Sequence, residues 1–210
     1  MADNYFEVFM PPKIDLSDCV NKIAKLNGAI ESVGEVFTNT FKDIASRAPG
    51  KIASAVTAEY NIKKKEIIPS KKYKIKKAGS ITVHGQNLTS LEFRFAGRLL
   101  TLTHFSMTPK TRPDKKRYKI KAKVKKQQKV INAPEGGGVF LAPAAKSATI
   151  LPWMRFSKDK LDIAPIKTLS LPQMVDNDNV REQINKDLSE LVDNRFQHNL
   201  KRHLDKNLGH

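Results

Sequence analysis

The chain has 210 residues, a formal net charge of +17 from 38 Lys and Arg against 21 Asp and Glu, and one cysteine. That length fits one compact domain with extended arms, and the lone thiol, Cys19, excludes an intrachain disulfide framework and a cysteine-based zinc site. The charge is concentrated: residues 63 to 77 hold eight Lys and one Glu, residues 110 to 129 hold eleven Lys and Arg and one Asp, and the rest of the chain balances at 19 basic and 19 acidic.

Such basic segments point to a phosphate backbone, an acidic protein surface or an anionic membrane. Rows of lysine also occur on solvated strand faces, where they guard edges against aggregation. The N-terminus lacks the basic start and apolar run of a signal peptide, and no apolar stretch approaches a membrane span. The expectation is a soluble protein made in the cytoplasm, without a membrane partner.

In chain order, residues 1 to 13 read as an extended arm that ends in Pro11 and Pro12 and carries Tyr5, Phe6 and Phe9. These aromatics either fold back on their own domain or dock on a neighbouring copy. From about residue 15 to 48, Val20, Ile23, Ile30, Val33, Phe37, Phe41, Ile44 and Ala48 recur at helical spacing, with Asp15 or Ser17 as N-cap. Gly28 and Gly34 each weaken that helix by roughly 1 kcal/mol relative to alanine. Pro49-Gly50 predicts a kink or restart, Ile52, Val56 and Tyr60 continue at a spacing of four, and Asn61 is placed to cap a short turn before Pro69.

The period then changes to two. Tyr73 and Ile75 alternate with lysines, and residues 79 to 96 read as a hairpin turning at Gly85-Gln86-Asn87. Residues 99 to 105 form another strand or a buried connection. Residues 115 to 126 interleave Tyr118, Ile120, Ala122 and Val124 with Lys119, Lys121, Lys123 and Lys125, which predicts a strand with one packed and one charged face. A turn at residues 132 to 138, strands at 139 to 141 and 150 to 156, and an extended segment at 163 to 169 complete a meander, with Pro165 marking an edge or a bulge.

The last helix is expected to open at Asn179, with Glu182 closing a capping box. Its apolar residues Val180, Ile184, Leu188, Val192, Phe196, Leu200, Leu204 and Leu208 step by four, so the stripe rotates by about 40° per step and outgrows one flat partner. The first half then packs on its own domain and the second half meets a second subunit or the N-terminal helix, unless the tail frays.

The fold class expected is α+β: long N-terminal and C-terminal helices packed on a mostly antiparallel sheet. The divisions are an arm at 1–13, a helical region at 14–69, an antiparallel region with basic strands at 70–175 and a C-terminal helix at 176–210, with 14–210 as one compact domain. The chemical motifs are absent. Gly136-Gly137-Gly138 is not followed at P-loop spacing by Lys-Ser, the five histidines form no HExxH, and Asp176-Asn177-Asp178-Asn179 lacks the glycine and closing glutamate of a calcium loop. No enzyme, cofactor or metal is expected.

Two strings carry a family resemblance. The run from Ala45-Ser46-Arg47 through Ala53, Val56 and Tyr60-Asn61-Ile62-Lys63-Lys64-Lys65-Glu66-Ile67 resembles the helix and basic turn of the minor tail protein Z family of tailed bacteriophages. The run Ala164-Pro165-Ile166-Lys167-Thr168-Leu169-Ser170-Leu171-Pro172-Gln173-Met174, with Val180 and the last helix, is similar to that family's C-terminal signature.

The resemblance implies a virion protein at the head-proximal end of the tail, in the neck, where copies form a homo-oligomeric, hexameric ring around the DNA channel that completes the tail for head-tail joining. Its partners would be further copies, adjoining neck or tail proteins and the DNA. In that setting Lys63, Lys64, Lys65, Lys72, Lys74, Lys76, Lys119, Lys121, Lys123 and Lys125 are candidates for contact with DNA or an acidic surface. Phe6, Phe9, Phe196, Leu200 and Leu204 are candidates for subunit contact. The alternative class is a free-standing, sequence-independent nucleic-acid-binding protein.

Overall fold

Two long helices frame the described chain, which in this computed structural model comprises residues 5–10, 30–68, 79–87, 90–114, 118–126, 131–132, 138–144, 147–159 and 162–208. The first, α1 (Ile30–Glu59), runs as one helix with Pro49 inside it, where a kink or restart was expected. Proline removes one intrahelical donor, but Ala48, Ile52, Ala53, Ala55 and Val56 are all buried around it, so packing holds the helix where local propensity would break it. The expected helical start, with Asp15, Ser17 and Gly28, lies outside the described residues. A short helix, α2 (Lys64–Ile67), follows, and its N-cap position is Lys63, not Asn61.

Residues expected as an extended arm form β1 (Tyr5–Met10), which pairs antiparallel with β3 (Ser90–Arg98) from Tyr5↔Arg98 to Met10↔Phe93. β2 (Gly79–Asn87) pairs on the other side of β3, giving the order β1-β3-β2. The expected hairpin is present. Gly85 to Asn87 is a bulge within it, and pairing continues to Asn87↔Ser90.

The connection after β3 is a buried 3-10 turn, Leu102–Phe105. Then β4 (Lys121–Ala122) pairs with β5 (Ile131–Asn132), and a second three-stranded sheet has the order β6 (Phe140–Ala144), β7 (Ser147–Arg155), β8 (Ile163–Pro165). Pro165 does lie on an edge strand. Pro152 sits in the central strand, a rare place for a residue without an amide proton. Its carbonyl accepts from Ile166 N at 2.8 Å on the β8 side, while Leu141, opposite Pro152 on β6, donates its own N–H away from β7 to Tyr118 Oη at 2.8 Å.

A short helix lies between the extended segment and the last helix. α3 (Leu171–Val175) is opened by Ser170, which accepts from Gln173 N while Ser170 N donates to Gln173 Oε1 at 2.9 Å. The last helix, α4 (Asp178–Leu208), starts one residue before the expected cap. Arg181 N donates to Asn177 O at 2.8 Å, which makes Asn177 the cap position and removes Glu182 from the box.

The fold is α+β, with both long helices and antiparallel sheets. Its main core joins α1, β3, α3 and α4 through residues such as Ile44, Phe93, Phe95, Met174, Ile184 and Leu188. A smaller core gathers Leu102, Met107, Ile120, Ala122 and Leu141, with Tyr118 and Ile150 packed against it.

Candidate functional site

The lysine-rich segment keeps its predicted two faces although only Lys121 and Ala122 form a regular strand. Ile120, Ala122 and Val124 are buried, Lys119 and Lys121 are exposed, and Lys123 and Lys125 are half-buried. Backbone bonds fix the segment on both sides. Lys121 and Thr108 exchange N–H···O bonds of 2.8 Å, Lys123 N donates to Phe105 O at 3.3 Å, and Lys121 is paired with Asn132 across β5.

The same segment is tied to the end of α1. Asn61 N donates to Val124 O and Lys126 N donates to Glu59 O, both at 2.8 Å, around an antiparallel bridge between Tyr60 and Lys125. Antiparallel pairing carries residues 61 to 65 and residues 124 to 119 away from that bridge in the same direction. The described part of each basic segment therefore borders the 3-10 turn: Glu66 Oε2 of α2 lies 3.2 Å from His104 Nδ1, beside the Phe105 and Thr108 that hold Lys123 and Lys121. Lys63, Lys64 and Lys65 are exposed there, and Lys64 Nζ donates to Ser54 Oγ at 2.7 Å. Lys72, Lys74 and Lys76 lie outside the described residues.

Lys125 differs from the other lysines in its row. Its Nζ lies 3.6 Å from Glu59 Oε1 and 5.6 Å from the centroid of the Tyr60 ring. Burial, and then the Glu59 carboxylate, raise the Tyr60 pKa above the usual tyrosine value. Sequence alternation groups Lys125 with Lys121; the bridge to Tyr60 turns it to a fold contact instead.

The residues proposed for subunit contact divide. Phe196 is buried on its own chain's α1, its ring 5.8 Å from that of Phe37, and Leu200 packs against the same core. Leu204 is 41% exposed. The rotation of the stripe explains the split, because Leu204 lies about 120° round the helix from Val192, whereas Asn199 lies within about 20° of it. The buried face consequently continues through Asn199 and half-buried His203, whose Nδ1 is 3.9 Å from Glu35 Oε2. The N-terminal helix, one of the two partners expected for the second half of this helix, is in contact with it. Phe6 and Phe9 lie on β1, whose backbone pairs with β3 of the same chain.

Sequence reasoning missed three joining groups: the Tyr118 hydroxyl that takes the Leu141 amide, the His104–Glu66 contact and the Ser170 cap. Only the last had a local signal, the Ser-Leu-Pro-Gln spacing with proline in the first turn. Among the described residues no group of three or more His, Cys, Asp or Glu could hold a metal ion, and no helix is long and apolar enough to cross a membrane. No family model, curated protein or solved structure matches the chain.

Proposed function

We propose that the chain is a structural virion protein of a phage tail or neck, forming a hexameric ring at the head-proximal end of the tail that completes the tail and supports head-tail joining. The observation that supports this reading is that the two strings resembling the minor tail protein Z family pack into one core. Ile52, Ala53, Val56, Tyr60, Ile62 and Ile67 from the first are buried in the same cluster as Leu171, Met174 and Val180 from the second. Rings form from head-to-tail contacts that close, and Leu204 and Phe156, 41% and 60% exposed, are apolar groups available for them.

Native mass spectrometry of the full chain, alone and mixed with the proteins of the adjoining reading frames, tests the proposal. A closed ring, alone or on mixing, is the expected result. A chain that stays monomeric in every mixture, with tails that join heads normally in its absence, overturns it.

A further inference from the structure

We infer that Lys63, Lys65, Lys119 and Lys121 form a surface that tracks the phosphate backbone of a nucleic-acid duplex without reading its sequence, and that Lys125 is not part of it. The inference concerns the surface of one chain and does not depend on ring formation.

The first support is convergence. The described parts of the two basic segments, Lys63 to Lys65 and Lys119 to Lys126, are brought to one border by the Tyr60–Lys125 bridge and by the contacts of Glu66, Lys121 and Lys123 with residues 104 to 108. Of the acids nearby, Glu59 faces Lys125 and Glu66 faces His104. The second support is rigidity. Lys121 is bonded through its backbone to Thr108 and paired with Asn132, while its neighbours Ile120 and Ala122 are buried. Alternate residues of an extended chain stand about 6.7 Å apart, close to two base-pair rises of about 3.4 Å.

The side-chain chemistry selects the ligand. Residues 63 to 65 and 118 to 126 contain lysine and no arginine, so they offer point charges rather than the planar forks that read guanine edges or clamp single carboxylates. Their aromatic neighbours are engaged in the fold: Tyr60 is buried beneath Lys125, and half-buried Tyr118 packs against the smaller core. Unstacked bases of a single strand need free aromatic faces; duplex phosphates need only the ammonium row.

The test is fluorescence anisotropy with the full chain and short labelled duplexes of two unrelated sequences, titrated across a range of salt. Equal affinity for both sequences is expected, with tighter binding to duplex than to a single strand of the same length or to polyglutamate. Each contacting lysine contributes about 0.9 to the slope of log K against log salt. Lys119→Gln with Lys121→Gln, and separately Lys63→Gln with Lys65→Gln, should each lower that slope by about 1.8. Lys125→Gln should leave the slope in place and lower the melting temperature. Wild-type slopes in both double variants overturn the inference, as does preferential binding of polyglutamate, which would assign the surface to an acidic protein. Ring assembly, read by native mass, is a separate measurement.

Discussion

Asn199 of α4 donates from Nδ2 to Thr40 Oγ1 of α1 at 3.2 Å, and both residues are buried. Thr40 Oγ1 in turn donates to Val36 O at 2.7 Å, and Asn199 Nδ2 also reaches Asp43 Oδ2 at 3.3 Å. The interface between the long helices thus ends in a polar cluster rather than in leucines. Asn199→Leu leaves the hydroxyl without its donor and sets an apolar group beside Asp43. A loss of about 1 to 3 kcal/mol is expected in urea unfolding, and combining it with Thr40→Val should cost less than the sum of the two single changes.

Ser170 is fully buried and closes a reciprocal box with Gln173 at the start of α3. Its replacement by alanine removes the acceptor for Gln173 N. Caps of this kind are worth about 1 kcal/mol. Thermal melting should show that loss for Ser170→Ala, with most of it retained by Ser170→Thr if the box is the cause.

Gly34 and Gly50 lie inside α1, and a Cβ built at either meets nothing within 4 Å. Alanine at each position should stabilise the protein by about 0.5 to 1 kcal/mol, because glycine loses more backbone freedom on folding. Denaturant midpoints of the two variants, and their near-additivity in the double variant, check this.

Tyr60 gives the alkaline limb of stability a definite sign. Its pKa is raised above the usual 10.0 by burial and then by Glu59, so the folded state holds the phenolic proton more tightly than the unfolded chain. The corresponding stability is complete below pH about 10 and is lost as pH rises through the folded value. Tyr60→Phe should therefore show a shallower decline between neutral and strongly alkaline pH than the natural chain in unfolding measurements at each pH.

Periodicity made much of this fold legible. The spacing-of-four run through Ile52, Val56 and Tyr60, the alternation at Ile120, Ala122 and Val124, and the hairpin of β2 and β3 all follow from residue order, because each reflects a face that local geometry repeats. What residue order hides is long-range. Pro49 stays within α1 because distant groups pack on both sides of it, and β1 finds its partner almost ninety positions later, at Arg94 and its neighbours. For the candidate site, exposure of Lys119 and Lys121 was readable, but the separation of Lys125 required Glu59 and Tyr60, which only tertiary pairing brings beside it.

The lysine segment has its apolar residues in two places: Ile120 and Ala122 enter the smaller core, and Val124 enters the main one. It therefore acts as a mechanical tie between two bodies of packing, and its loosening would release both. A polyanion held on its outer face would raise the free energy of opening at both ends by mass action. Amide exchange should then slow not only at Lys121 and Lys123 but also at Leu141 and Asn61, whose N–H groups donate to Tyr118 and Val124 of the same segment. Recognition at the surface would thus be felt as folding cooperativity across the molecule.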